Sequence, residues 1–259
     1  MDLGLRGKWA LITGASQGIG EGTARTFAEE GVNLHLTARS AGRLDALKDD
    51  LTAYGVEVHV HPADITQPGA CEKLAVACGR IDILVNNAGV IPSGSLFEID
   101  EPKWREGWEL KLFGYINLCR LIYPKMKEWG GGVIINNIGN GGEIFDPQYI
   151  AGAAGNACLM AFTRALGGHS LNDNIRVVGV NPGPVNTDRI YNMLKKRAST
   201  LFKDEGRYTE LEAKYPLKRP AHVREVTDLI AFLASPRSGY TSGTIFTVDG
   251  GIASRRSII

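Results

Sequence analysis

No apolar run in this 259-residue chain approaches the roughly 20 residues that a membrane-spanning helix requires, so no membrane partner is expected. Charge of one sign is also lacking. The 29 Lys and Arg residues against 28 Asp and Glu leave a formal net charge of +1, which gives no general attraction for nucleic acid or an anionic membrane surface. Its four cysteines, Cys71, Cys78, Cys119 and Cys158, form neither a CxxC pair nor a ligand cluster. That spacing argues against a disulfide framework and against a local metal knuckle, so no metal is expected and the thiols read as reduced ones in a cytoplasmic protein. The start, Met1-Asp2-Leu3-Gly4-Leu5-Arg6, enters the first strand too early to be a secretory leader. Repeats, linkers and low-complexity tracts are missing, which predicts one domain over residues 1–259.

What is present is alternation. Short β-branched runs trade places with amphipathic stretches, the pattern of βαβ units around a parallel sheet. Strands are predicted at Ala10–Thr13, Asn33–Thr37, Glu57–Val60, Ile81–Val85, Val133–Ile138, Ile175–Val180 and Thr244–Val248. Helices are predicted to begin near Ile19, Gly42, Gly69, Pro102, Lys111, Ile150 and Val223. The fold class is therefore α/β, a doubly wound parallel sheet with helices on both faces. Residues 189–215 differ in texture, with Lys195-Lys196-Arg197, Lys203-Asp204-Glu205 and Glu210-Leu211-Glu212 close together. They read as a solvated helical insertion or as a flap over substrate, the latter because they follow a Pro-Gly loop at the carboxyl edge of the sheet.

Thr13-Gly14-Ala15-Ser16-Gln17-Gly18-Ile19-Gly20 directly follows the apolar run Trp9-Ala10-Leu11-Ile12. A buried strand turning through glycines into a helix is an anion site, because close backbone and unpaired N–H groups at a helix start face a pyrophosphate. The spacing is G-x-x-x-G-x-G rather than G-x-G-x-x-G. Further along stand Asn86-Asn87-Ala88-Gly89 at a strand end, the loop Asn181-Pro182-Gly183-Pro184-Val185-Asn186-Thr187, and the pair Phe232-Leu233-Ala234-Ser235 and Thr247-Val248-Asp249-Gly250-Gly251. In this order the motifs resemble the short-chain dehydrogenase/reductase family nearly end to end. The resemblance implies a Rossmann-like domain that binds a nicotinamide dinucleotide through Gly14, Ser16, Gln17, Gly18, Ile19 and Gly20. Asp64 and Ile65 would meet the adenine, Asn87, Ala88 and Gly89 the centre of the cofactor, and Pro182, Gly183, Val185 and Thr187 the nicotinamide. It also implies a homo-oligomer, dimer or tetramer, paired through Lys111–Lys127 and Ile150–Gly168. Small residues at Ala151, Gly152, Ala153, Ala154, Gly155 and Ala157 would allow close approach there or pack within the subunit.

After the second strand, a carboxylate suits the free 2′-hydroxyl of NAD and an arginine suits the 2′-phosphate of NADP. Here Thr37-Ala38-Arg39-Ser40 holds no acid, and Arg43 follows one turn on. A guanidinium fork matches phosphate and Ser40 adds a hydroxyl, so NADP(H) is favoured over NAD(H). Gln17 weakens this slightly, since the resemblance puts a basic residue there in many NADP-preferring relatives.

Family catalysis uses a tyrosine, a lysine four residues later, a serine and a water-holding asparagine. Counting back from the Pro182-Gly183 loop without gaps puts Asn156 in the lysine position, Gly152 in the tyrosine position, Gly139 in the serine position and Lys111 in the asparagine position. An alignment that keeps Tyr149 as the tyrosine needs two gaps and still finds Ala153 instead of lysine. Asparagine and lysine thus exchange places, leaving one ammonium and one amide in one cavity. Tyr149 lies one turn before Gly152 on the same helical face and could supply the phenol, with Lys111 lowering its pKa. Tyr149, Lys111 and Asn156 are the candidate catalytic residues, and Glu143 and Asp146 are alternative bases. His59 and His61 alternate on a strand, but the sequence shows no third ligand nearby. The expected function is an NADP(H)-dependent oxidoreductase acting on a small carbonyl compound or secondary alcohol. The alternatives are a non-catalytic cofactor-binding sensor or partner subunit, and non-redox chemistry in a reused pocket.

Overall fold

The structure is a computed structural model describing residues 1–255. Seven strands form one sheet: β1 (Trp9–Thr13), β2 (Asn33–Ala38), β3 (Val58–Pro62), β4 (Ile83–Asn86), β5 (Gly132–Asn137), β6 (Ile175–Pro182) and β7 (Ile245–Val248). All seven expected strands form, with ends shifted by a residue or two. Their order is β3-β2-β1-β4-β5-β6-β7 and every pairing is parallel. Helices cover both faces, so central strands are buried on both sides and read as continuous apolar runs; all eight residues of β6 are buried.

The helices are α1 (Gly18–Glu29), α2 (Ala41–Thr52), α3 (Ala70–Ala77), α4 (Glu101–Trp108), α5 (Gly114–Glu128), α6 (Ile150–Ser170), α7 (Asp188–Phe202), α8 (Tyr208–Glu212) and α9 (Val223–Ala234). One core layer packs Phe27, Leu34, Leu36, Leu44 and Ile230 under α1, α2 and α9. The other packs Leu11, Leu84, Leu118, Ile122 and Ile134 under α3 and α5. The chain steps outward from β1 to β2 and β3, then returns to place β4 on the other side of β1. That reversal opens a crevice at the carboxyl ends of β1 and β4, where ligands bind in open α/β sheets.

Two expectations change. The helix foreseen near Lys111 is instead a π-helical turn, Glu109–Phe113, joining α4 to α5. Widened turns of this kind admit one extra residue into a helical run, and here Lys111 and Leu112 face inward. The small residues of α6 largely serve the subunit itself. Ala151, Gly152, Ala153 and Gly155 are buried, a Cβ on Gly155 would lie 3.2 Å from Trp108 Nε1, and that indole donates to the Ala151 carbonyl at 3.0 Å. Only Ala154 and Cys158 of that stretch stay exposed. Residues 189–215 contain most of α7 and all of α8, with Ile190, Leu194, Ala198 and Leu211 forming their own small core.

Candidate active site

The loop after β1 is built for close approach. Gly14 (φ +64°) and Gly18 (φ +60°) take left-handed backbone conformations, and a Cβ on Gly20 would stand 2.2 Å from the Gly14 carbonyl oxygen. No side chain fits there, so the N-terminus of α1 can lie against a ligand with its backbone N–H groups presented. The loop after β4 is tied to it: Thr13 Oγ1 accepts from the backbone N–H groups of Asn87 and Ala88, both at 2.9 Å. In return, Asn87 Nδ2 donates to the Thr13 carbonyl at 2.9 Å and the Gly14 carbonyl at 3.2 Å.

These loops open on one cleft of about 1630 Å³. Gly14, Ser16, Gln17, Gly18 and Ile19 line it, and Gly20 sits behind them as the residue whose lost side chain lets the turn close. One end is walled by Arg39, Ser40, Arg43, Asp64 and Ile65. Arg39 and Ser40 are exposed there, and the Arg43 guanidinium donates to Gln17 Oε1. Burial raises the Asp64 carboxyl, but hydrogen bonds from Thr66 and the charge of Arg39 bring it below the ordinary carboxylate value. At the other end Pro182, Gly183, Val185 and Thr187 line the same cleft beside Asn87, Ala88 and Gly89. Arg189, Ile190, Met193 and Lys196 line it from α7.

Lys111, Gly139, Tyr149 and Asn156 line the cleft together. Tyr149 is the N-cap residue of α6. Its ring folds over the first turn, so that a Cβ built on Gly152 would lie 2.0 Å from Tyr149 Cζ. The phenol oxygen accepts from Arg189 Nη2 at 3.2 Å. Asn156 is buried, and its Oδ1 has no hydrogen-bond partner. Its amide nitrogen sits 3.2 Å from where a Cβ on Gly139 would be. Gly139 has φ +123°, a conformation in which serine would be strained.

Lys111 reaches into the core. Its ammonium donates to the Asn137 carbonyl at 2.6 Å and to Tyr115 Oη at 2.9 Å, and that phenol also donates to the Asn137 carbonyl at 2.9 Å. Burial first, then the positive charge of Arg189, pulls the Lys111 ammonium down to about 7. Asn137 Nδ2 donates to Asn87 Oδ1 at 2.7 Å, so one polar chain runs from Thr13 through Asn87 and Asn137 to Lys111.

The expected Lys111–Tyr149 partnership is corrected here. The cation on the phenol is Arg189, and Lys111 is held by Tyr115 and Asn137. Arg189, Tyr115 and Asn137 were missed by sequence reasoning. The i,i+4 spacing of Lys111 and Tyr115 was a usable signal, whereas nothing local marks Arg189, which reaches Tyr149 across 40 residues of chain. Of the alternative bases, Glu143 accepts from Asn181 Nδ2 at 3.2 Å and from the Thr247 hydroxyl at 3.2 Å. Asp146 lines the cleft and accepts from the Gln148 N–H at 2.9 Å.

A family model described as Enoyl-(Acyl carrier protein) reductase matches residues 14–253. Oxidoreductase UcpA of Escherichia coli K12 is 36% identical over 252 residues, 95% of each chain. The structure of L-sorbose reductase from Gluconobacter frateurii, complexed with NADPH and L-sorbose, superposes with a TM-score of 0.90 at 33% identity, covering 99% of this chain and 100% of that one. A 7 alpha-hydroxysteroid dehydrogenase complexed with NADH and 7-oxo glycochenodeoxycholic acid gives a TM-score of 0.85 at 29% identity, with 96% of both chains covered. Likeness that runs through both sequence and fold over essentially the full length settles the assignment: this chain belongs to the short-chain dehydrogenase/reductase family of oxidoreductases.

Proposed function

We propose that the chain is an NADP(H)-dependent oxidoreductase that interconverts a small carbonyl compound and its secondary alcohol, with Tyr149 as the proton-transfer group. The observation that carries this reading is the Tyr149 ring folded across Gly152, which brings a phenol into the cleft from one turn earlier in the helix. The residues present fit a dinucleotide: the glycine cradle excludes side chains, and the buried, unpartnered Asn156 Oδ1 is an acceptor open to a ligand hydroxyl or a water. When bound, the nicotinamide supplies or accepts the hydride. Tyr149 gives its proton to the carbonyl oxygen in reduction and takes it back in oxidation. Arg189 steadies the phenolate this leaves. Lys111, whose ammonium is brought down to about 7, can hold or exchange a proton at the back of the cavity.

Sorbose reductase is a complex with NADPH and the hydroxysteroid dehydrogenase one with NADH, so likeness alone does not choose the cofactor. Arg39, exposed at the adenosine end with no acid at 37–40, supports NADP(H). Self-association into a dimer or tetramer through the outer faces of α5, with the turn before it, and α6, where Phe113 and Ala154 are exposed, belongs to the same reading. No helix among the described residues is long and apolar enough to cross a membrane. The test is stopped-flow hydride transfer from NADPH to a panel of ketones, diketones and quinones. Reduction that Tyr149→Phe abolishes supports the assignment; tight NADPH binding with no reduction of any panel member overturns it.

A further inference from the structure

Away from the cleft, at the β3 edge of the sheet, the fold gathers the ligand set that the sequence left incomplete. His59 and His61 lie on β3. β2 brings His35 beside them, in register with His59, and the end of α3 brings Cys78. His35 Nδ1 and His61 Nε2 are 3.0 Å apart, and one ligand atom from each of His35, His61 and Cys78 lies within 4.8 Å of the others. His35 and Cys78 are 3% and 4% exposed, and His61 is half-buried, so the cluster has a route to solvent through one member. None of the three lines the cleft.

We propose that His35 Nδ1, His61 Nε2 and Cys78 Sγ form a binding site for one zinc-type divalent cation, with solvent in the fourth position. Two imidazoles and a thiolate are the donors that a borderline-soft ion prefers. Metal–nitrogen bonds of about 2.0–2.1 Å and a metal–sulfur bond of about 2.3 Å, at tetrahedral angles, require ligand atoms about 3.3–3.6 Å apart. The two nitrogens stand within a few tenths of an ångström of that already, and the sulfur closes the remainder by a small side-chain movement. The His35 ring is fixed before any ion arrives. Trp9 stacks on it at 4.7 Å between centroids, and His35 Nδ1 faces His61 Nε2 at 3.0 Å.

Burial, then the charges of His61 and His59, pull His35 down to about 4, and burial followed by His59 lowers His61. The remaining charged neighbours are Glu57, 3.9 Å from His59 Nε2, and Lys125, whose charge opposes the burial that pushes the Cys78 thiol up to about 12. On binding, the thiol loses its proton to solvent. Each imidazole then carries its one proton on the nitrogen turned away from the ion, so one cation enters and one proton leaves. The ion would pin edge strand β3 to β2 and α3. Three residues beyond His61, the same strand delivers Asp64 to the adenosine end of the cleft.

The test titrates Co²⁺ alone into the untagged full chain. The expected result is about one equivalent bound, with thiolate-to-cobalt charge-transfer absorption that vanishes in Cys78→Ser, persists in Cys158→Ser, and needs at least roughly ten-fold more metal in His61→Gln. Zn²⁺ should displace the cobalt, release about one proton per ion, and raise the thermal midpoint of the parent but not of either cluster variant. Absence of the absorption in the parent, or its loss in Cys158→Ser, overturns the site. Should Cys78→Ser fail to fold, X-ray absorption at the zinc edge of the Zn²⁺-loaded parent decides: one sulfur with two imidazoles supports the site, and no sulfur overturns it.

Discussion

Tyr149 and Gly152 share one volume: the phenol ring occupies the space that a side chain on Gly152 would take, with Cζ 2.0 Å from the position of a Cβ. The glycine is therefore the condition for the tyrosine's placement. Gly152→Ala should displace the ring and break the 3.2 Å contact between Arg189 and the phenol oxygen. Turnover should fall by about 10²-fold or more while NADPH affinity changes little, and overpacking should cost about 1–3 kcal/mol. Paired calorimetric cofactor titration and steady-state rates check this; unchanged kcat would show that the phenol works from elsewhere.

Tyr149→Phe should lower hydride transfer by about 10²–10⁴-fold, the usual worth of a general acid. Arg189→Leu should lower it as well, because the 3.2 Å contact that holds the phenol in place is lost. In the Tyr149→Phe background the Arg189 effect should largely disappear, since both residues serve one step. Additive losses would separate them.

Lys111 sets a pH dependence of stability. Its folded pKa of about 7 lies below the ordinary 10.5. Below 7 both folded and unfolded chains carry the proton, and the full cost of burying the ammonium is present. Between about 7 and 10.5 the unfolded chain holds a proton that the folded one has released, so stability rises with pH by up to roughly 1.4 kcal/mol per unit. Denaturant unfolding from pH 6 to 10 should show that rise in the parent and lose it in Lys111→Met. A parallel pH response in both would place the titration on another group.

Arg39→Ala should weaken NADPH binding by roughly ten-fold or more, the worth of about 1.5–3 kcal/mol for a charge-assisted pair, and leave NADH nearly unchanged. Titration of both cofactors into both proteins is sufficient. An unaltered NADPH-to-NADH ratio would move the phosphate contact to Arg43.

The sheet was legible because buried parallel strands leave continuous apolar runs, and β1 through β7 fall where those runs stand. The glycine loop was legible for a related reason: positive φ at Gly14 and Gly18 leaves a residue-type signature. Lys111 was legible as a site residue, but its partners Tyr115 and Asn137 escaped because a π-turn looks like α-helix in periodicity and hides that the side chain turns to the Asn137 carbonyl. Arg189 escaped because it lies at the start of α7, in a charge-rich stretch where charge reads as solvation. The His35–His61–Cys78 cluster escaped because its members stand 26 and 17 positions apart, and pairing between β2 and β3 alone brings the histidines together.

The Thr13 hydroxyl, which accepts two N–H groups from residues 74 and 75 positions away, has a bearing on how the chain folds. Those bonds cannot form until β4 has docked beside β1, across a connection that carries β2 and β3 on the other side. Closing so long a loop is slow compared with local helix formation. A refolding chain will therefore regain helical content before it regains the cofactor cleft. Quenching of a bound reduced dinucleotide will lag the far-ultraviolet signal, and Thr13→Val will widen that lag.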